Sequence, residues 1–310
     1  MPANIQENIS LVNYTTFKIG GPARYFSIVK NQEELVAAIR AAKEKNLPFF
    51  ILGGGSNLLV SDEGFDGLVI KMQNEKLKIE NQKEKLKIIC DAGVALNKII
   101  METAKNGYSG AEWGFGIPGT IGGAICGNAG RLGQDISQIV DSVTILDMDL
   151  NIKELLNKEC EFGYRESRFK KTGEIILEAT LIFAKKDQVA IDEILNQAKE
   201  VLKHSPPFPS AGCVFKNYKL KQNDSLLKEH PELTERIRDG KIGVGFLIDQ
   251  CRFKGKQIGG AKIWEGHANY IVNVGGAKAE DVKELIELVR QTVAGKFGIT
   301  LEDEIRYLEN

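Results

Sequence analysis

Histidine and cysteine are scarce in this chain of 310 residues, and neither is spaced for metal chemistry. No two of the three histidines have ligand spacing. The five cysteines, Cys90, Cys126, Cys160, Cys213 and Cys251, are odd in number, scattered, and form no CxxC pair. That pattern argues against a zinc site or a disulfide framework and fits free thiols in a reducing cytoplasm. Charge of one sign is lacking too. The formal net charge is −1, so no basic field awaits nucleic acid, and an anionic ligand must be met by local groups. Long apolar runs are missing. The longest cover only a few residues, such as 49–52, against the ~20 of a membrane-spanning helix. The opening Met1-Pro2-Ala3-Asn4-Ile5-Gln6-Glu7 has neither the basic start nor the apolar core of a secretion signal. No G-x-x-x-x-G-K-[ST] occurs, so a Walker-type nucleotide site is not expected.

What is present is ordinary for a soluble globular protein: 43% hydrophobic and 27% charged residues. The length suits two domains at about 150 residues each, each able to bury a core without a staple. Asn31 followed by Glu34 predicts a capped helix running to about residue 45 and burying Leu35, Ile39 and Ala42. A short apolar strand at 49–52 leads straight into Gly53-Gly54-Gly55-Ser56-Asn57. Further strands are expected at 68–71, 139–147 and 174–183, a hairpin at 77–80 and 86–90, and helices at 95–105 and 190–204. Ser205-Pro206-Pro207-Phe208-Pro209 then breaks the chain and sets the main domain boundary. Beyond it the pattern predicts a strand at 213–217 and a helix from Pro231 to about 238. Strands follow near 258 and at 270–274, then a helix at 280–297 and a final strand at 301–308. Short strands with interspersed helices read as α+β rather than a doubly wound sheet.

Ten of the 32 glycines fall between residues 107 and 133. Backbone that dense in glycine turns tightly or lies close to a ligand. Gly114-Phe115-Gly116-Ile117-Pro118-Gly119 matches G-x-G-x-x-G literally. The Rossmann reading needs a strand just before it, and a turn sequence, Asn106-Gly107-Tyr108-Ser109-Gly110, stands there instead. One glycine loop alone reads as a tight turn. Two, one of them directly after a buried strand, favour backbone N–H groups presented to a pyrophosphate, with Ser56, Asn57 and Thr120 able to add side-chain hydrogen bonds.

The ordered words of the chain carry a resemblance. They begin with Thr15-Thr16-Phe17-Lys18-Ile19-Gly20-Gly21-Pro22-Ala23 and Gly53-Gly54-Gly55-Ser56-Asn57-Leu58. Gly116-Ile117-Pro118-Gly119-Thr120-Ile121-Gly122-Gly123-Ala124, Asn128-Ala129-Gly130 and Tyr164-Arg165-Glu166-Ser167-Arg168-Phe169 follow. The last are Ser210-Ala211-Gly212-Cys213-Val214-Phe215-Lys216-Asn217, Lys254-Gly255, Ile258-Gly259-Gly260-Ala261, His267-Ala268-Asn269 and Leu301-Glu302-Asp303-Glu304-Ile305-Arg306. In this order and spacing, nearly end to end, the chain resembles the UDP-N-acetylenolpyruvoylglucosamine reductases of peptidoglycan precursor synthesis.

The resemblance implies an FAD-binding module of the vanillyl-alcohol oxidase type in two subdomains, 1–75 and 76–205. A smaller α+β substrate domain at 206–300 follows, and a C-terminal strand, 301–310, returns to the FAD-binding part. It implies non-covalent FAD held by Gly53, Gly54, Gly55, Ser56, Asn57, Leu58, Gly116, Ile117, Pro118, Gly119, Thr120, Gly122, Gly123 and Asn128. NADPH is the implied co-substrate and a UDP-sugar the substrate, in a cytoplasmic monomer with no metal. Reduced flavin passes hydride to the enolpyruvyl ether, giving UDP-N-acetylmuramate.

Hydride addition to that double bond builds negative charge on the carboxylate, where a fixed cation lowers the barrier. Arg165 matches the family's catalytic arginine, and Glu304 the carboxylate that polarises the substrate or orients its neighbours. The family's proton donor is usually a serine; here that position is Cys213. A thiol, with a reference pKa of about 8.5, is protonated at neutral pH and can act as general acid. By residue type alone these three read as a salt-bridged arginine, an exposed glutamate and a small buried hydrophobe. Asn217, Lys254 and Arg306 match substrate-binding positions, although Lys254 also reads as a solvated loop lysine and Asn217 as a turn residue.

The chain departs from the pattern at Leu132, where many members have tyrosine, and at Tyr218, where proline is common. The short spacing from Arg165 to Cys213 leaves no room for the tyrosine-bearing loop of longer members, yet 218–238 is longer than in short ones. Two rival readings remain: another FAD-dependent oxidoreductase of the superfamily acting on a sugar or hydroxy acid, and a non-enzymatic nucleotide-binding protein. Many of those oxidases attach flavin through a histidine in the glycine loop, and none stands at 53–58.

Overall fold

Local sequence signals set most of the elements. In the computed structural model, which describes residues 5–222 and 224–310, helix Gln32–Glu44 starts where the sequence predicts. The Asn31 carboxamide accepts the Glu34 N–H at 2.9 Å, and the Glu34 carboxylate accepts the Lys30 N–H at 2.8 Å. Two orphan donors are thus satisfied reciprocally. Residues 1–4, part of the opening segment read for a secretion signal, and Asn223, inside the 218–238 stretch, lie outside the described residues.

The chain divides into two compact units. The first comprises residues 5–9, 23–54 and 66–204. It holds two larger sheets. One runs in the order Ile5–Ser10, Pro22–Val29, Phe65–Met72, Phe49–Leu52, with the last two strands parallel. Helix Gln32–Glu44 packs Leu35, Ala38, Ile39 and Ala42 into a core with Val29, Leu68 and Ile70. The other sheet is antiparallel, in the order Ile152–Leu156, Val140–Leu146, Ile175–Lys185, Lys85–Asp91, Leu77–Asn81. Its long central strand Ile175–Lys185 buries Ala179, Leu181 and Phe183, while Thr180 and Ile182 are only half-buried. This period of two is that of a strand with one well-packed face. Helices Leu96–Lys105 and Gln188–Lys203 contribute Ile99, Ile100, Ile191 and Leu195 to its core, around the fully buried Trp113.

The second unit comprises 10–22, 55–65 and 205–310. Its antiparallel sheet runs Ser210–Cys213, Tyr270–Asn273, Ala261–Ile263, Gln257–Ile258. Helix Ala279–Phe297 buries Val282, Leu285, Ile286, Val289 and Val293 in the unit's core. Asp62 caps that helix from another chain segment, accepting the Ala279 and Glu280 N–H groups at 2.9 and 3.2 Å.

Three expectations shift. The strand expected at 213–217 lies at Ser210–Cys213, and beyond it only Phe215 makes an isolated bridge, to Asp303. The helix expected from Pro231 is a 3-10 segment, Pro231–Arg236, preceded by a short helix Ser225–Glu229; both lie between the first strand, Tyr218–Lys219, and the other two strands of a small three-stranded sheet. The final strand is confined to Arg306–Leu308, which pairs in parallel with Leu58–Val60. Among the described residues no helix is long and apolar enough to cross a membrane, and no group of three or more side chains is placed to hold a metal ion.

Candidate active site

The two glycine loops meet in the first unit. A Cβ at Gly54 would lie 2.7 Å from the Gly119 Cα, and one at Gly53 would lie 2.8 Å from the Thr120 hydroxyl. Only glycine lets the backbones approach so closely. The Leu96 and Ile121 N–H groups bond to Gly119 and Val94 carbonyls at 3.1 and 2.8 Å, and the Asn97 carboxamide accepts the Gly116 N–H at 2.8 Å. Gly116 and Gly119 take φ values of +77° and +137°. No strand precedes Gly114; a 3-10 turn, Glu112–Gly114, does. Helix Ile121–Gly127 follows, capped by the Thr120 hydroxyl, which accepts the Gly123 N–H at 3.3 Å. Ile117 and Pro118 complete the loop between these turns. Lys71, which the sequence reading missed, donates its ammonium to the Gly53 carbonyl at 2.5 Å, and burial holds its pKa below the usual lysine value. A lone lysine in a strand gives no sequence signal of such a bond.

The first loop continues into the second unit at Gly55, whose φ is +63°. A Cβ there would lie 2.0 Å from the Tyr14 carbonyl oxygen. Ser56 and Asn57 lead into the strand Leu58–Val60, where Leu58 is core. Asn57 is tied to the C-terminal segment twice: its side-chain N–H donates to the Glu304 carbonyl at 2.8 Å, and its carbonyl accepts the Arg306 N–H at 2.9 Å.

Cys213, at the end of its strand, and Glu304, just before the strand Arg306–Leu308, lie on neighbouring segments. The Glu304 N–H donates to the carbonyl of Val214, the residue after Cys213, at 2.7 Å, and the Lys216 N–H donates to Glu302 at 2.9 Å. Asn269, 2% exposed, clamps the same segment: its side chain accepts the Phe215 N–H at 3.0 Å and donates to the Phe215 carbonyl at 2.8 Å. Its role depends on folding, and only its place in the His267-Ala268-Asn269 word hinted at it. The Asn217 carboxamide accepts the Val244 N–H at 3.2 Å, at the start of helix Val244–Gln250. Lys254 pairs with Asp249 at 2.9 Å. Arg306 opens the strand paired with Leu58. The Tyr218 hydroxyl donates to Asp224 at 2.9 Å, and burial together with that carboxylate pushes its pKa up to about 12.

Arg165 lies in the first unit, on a tight turn. The Gly163 and Glu166 backbones exchange both hydrogen bonds, at 2.9 and 3.1 Å, leaving Tyr164 and Arg165 at the tip. Arg165 has φ +56°, a left-handed conformation that costs a non-glycine residue roughly 1–3 kcal/mol and clusters at functional sites. Its guanidinium donates to the carbonyls of Gly130 and Asn128 at 2.7 and 3.4 Å. Asn128, 2% exposed and itself left-handed, ends helix Ile121–Gly127 and donates its side-chain N–H to the Gly163 carbonyl at 2.8 Å. It thereby joins the glycine-rich segment to the Arg165 turn.

This backbone fits a diphosphate-bridged cofactor. A Cβ at Gly127 would meet nothing within 4 Å, and one at Gly123 only the Thr120 hydroxyl at 3.6 Å, so bare main chain is free to lie against a ligand there. A family model described as an FAD binding domain matches residues 23–155, and one described as the C-terminal domain of UDP-N-acetylenolpyruvoylglucosamine reductase matches 203–308. A UDP-N-acetylenolpyruvoylglucosamine reductase from Clostridium tetani (strain Massachusetts / E88) is 36% identical over 305 residues, spanning 97% of this chain and 91% of that protein. One from Chlamydia pneumoniae is 38% identical over 312 residues, spanning 99% and 93%. The solved UDP-N-acetylenolpyruvylglucosamine reductase of Thermus caldophilus is 30% identical and superposes with a TM-score of 0.78 over 98% of this chain and 100% of that one. An FAD-binding domain in a chain similar to reductases over nearly its whole length defines an FAD-dependent oxidoreductase. Within that class, the chain belongs to the UDP-N-acetylenolpyruvoylglucosamine reductase family.

Proposed function

We propose that the protein reduces the enolpyruvyl ether of UDP-N-acetylglucosamine enolpyruvate to UDP-N-acetylmuramate, in peptidoglycan precursor synthesis, with NADPH as reductant. FAD, when bound, supplies the hydride to the enolpyruvyl double bond after taking it from NADPH. Gly53 to Leu58, Gly116 to Thr120, Gly122, Gly123 and Asn128 are the residues assigned to hold it. The Arg165 guanidinium, fixed on main-chain carbonyls, stabilises the charge that builds on the substrate carboxylate. The Cys213 thiol protonates the carbon beside that carboxylate, and the thiolate regains its proton from solvent. Glu304 orients and polarises the same carboxylate. Asn217, Lys254 and Arg306 are assigned to the UDP-sugar. The division of labour follows the chain: 1–75 and 76–205 for FAD, 206–300 for substrate, and 301–310 returning to the cofactor part. The protein acts as a cytoplasmic monomer.

One observation carries this reading. The main chain next to Cys213 is hydrogen-bonded to Glu304, whose own carbonyl is held by Asn57 of the first glycine loop. The test is anaerobic. NADPH should bleach the flavin, and the enolpyruvyl UDP-sugar should then restore its absorbance with formation of UDP-N-acetylmuramate. A reduced flavin that ignores the UDP-sugar would refute the proposal.

A further inference from the structure

We propose that Lys170 is a positioning residue for Arg165, locking the turn that presents the guanidinium. The inference rests on the assignment of Arg165 to the reaction given above. The turn has an unusual occupant. Its second central residue takes a positive φ, a place that ordinarily goes to glycine or asparagine, and here it is Arg165. Left alone, an arginine there would relax towards negative φ and carry its side chain elsewhere. Something must hold the peptide.

The peptide unit joining Arg165 to Glu166 is held at both ends. Its N–H donates to the Gly163 carbonyl at 3.1 Å. Its carbonyl accepts the Lys170 ammonium at 2.5 Å, a charge-assisted hydrogen bond. Lys170 reaches it because the short helix Phe169–Thr172 follows the turn directly, and the Glu166 carboxylate at 3.6 Å helps to hold the ammonium there. The Gly163 carbonyl is pinned in turn by the Asn128 side chain at 2.8 Å. With that peptide fixed, the direction of the Arg165 Cα–Cβ bond is fixed, and the guanidinium is delivered to the Asn128–Gly130 main chain. Without the ammonium the turn can relax, and a displacement of about 1 Å in a catalytic group costs on the order of 10²-fold in rate.

The experiment uses FAD-loaded full-length protein and separates the two half-reactions. Lys170→Met should lower the rate at which the enolpyruvyl UDP-sugar reoxidises the flavin by roughly 10- to 100-fold. FAD content, melting temperature and the rate of flavin reduction by NADPH should stay at wild-type values. Lys170→Gln, polar but too short to reach the carbonyl, should behave alike and serves where the methionine variant folds poorly. Lys170→Arg, which can still donate to the carbonyl, should recover most of the rate. Because Lys170 acts through Arg165, the double variant Arg165→Ala/Lys170→Met should be no slower than Arg165→Ala alone. Wild-type reoxidation in Lys170→Met and Lys170→Gln, or losses that multiply in the double variant, would overturn the inference. Wild-type reoxidation in Arg165→Ala would instead overturn the assignment of Arg165, and the role of Lys170 with it.

Discussion

Cys213 ends the strand Ser210–Cys213 and follows Gly212, whose φ is +81°. A thiol delivers a proton at neutral pH more readily than a hydroxyl does. Cys213→Ser should therefore keep measurable turnover. Cys213→Ala should lose about 10²-fold or more in the substrate half-reaction, while NADPH still bleaches the flavin at the wild-type rate in stopped flow. An unimpaired alanine variant would remove Cys213 from the mechanism. A second residue reports on stability rather than turnover. Asp147, in the turn joining strands Val140–Leu146 and Ile152–Leu156, accepts the Asp149 and Asn151 N–H groups at 2.9 and 2.8 Å and pairs with Lys153 at 2.8 Å. The lysine first, and then these N–H groups, pull its pKa down to about 2. A depressed carboxylate stabilises the fold above its unfolded pKa of about 3.9, and that contribution fades as pH falls towards the folded value. Urea midpoints of the wild type and Asp147→Asn should differ by a constant amount from pH 7 to 5 and converge between pH 4 and 2. A gap that persists at pH 2 would mean that the charge is irrelevant. At this scale the sequence named candidates but not their partners. Asn57 and Glu304 stand 247 positions apart, and no local pattern encodes a bond over that distance.

Among the elements, those with their signal in adjacent residues were legible. The Asn31 and Glu34 cap announces the helix Gln32–Glu44, and alternating apolar residues announce the hairpin Leu77–Asn81 with Lys85–Asp91. The helices Ile121–Gly127 and Val244–Gln250 were not. The first contains three glycines, which helix propensity disfavours. The second has no side-chain cap of its own and borrows Asn217. Glycine inside Ile121–Gly127 therefore marks a demand other than helix formation, and two substitutions separate the possibilities. Gly54→Ala sets a methyl 2.7 Å from the Gly119 Cα; backbone cannot swing aside, so apoprotein stability and FAD retention should fall together. Gly123→Ala meets nothing in the protein closer than the Thr120 hydroxyl at 3.6 Å, and alanine favours a helix by up to about 1 kcal/mol over glycine. The Gly123→Ala apoprotein should melt no lower than wild type, yet bind FAD at least ~10-fold more weakly by fluorescence titration, as expected where a ligand lies against bare backbone. Wild-type affinity in that variant would place the cofactor away from Gly123.

On the scale of the whole molecule, the family and the α+β class were legible because many short words recur in one order. What no word reveals is that 10–22 and 55–65 pack with 205–310. Phe17, Ile19 and Leu59, each 2% exposed or less, sit in one core with Val214, Ile271 and Ile305. The buried Asn273 side chain donates to the Phe17 and Lys18 carbonyls, both at 3.2 Å, and accepts the Gly275 and Ala277 N–H groups. Strand Leu58–Val60 supplies the parallel partner of Arg306–Leu308, and Asp62 caps Ala279–Phe297. The second unit is thus closed by chain that precedes it by some two hundred residues, and such non-local pairing forms only after long loops have closed. Residues 205–310 produced alone would lack three large core side chains, worth about 1.5–3 kcal/mol each. The Asn273 donor and the Arg306–Leu308 strand would also lose their partners. Against a net stability of about 5–15 kcal/mol for a typical domain, that loss is decisive. The 205–310 fragment should show helix content without a cooperative thermal transition by circular dichroism. A sharp transition in the isolated fragment would mean that the two early segments merely decorate a fold able to stand without them.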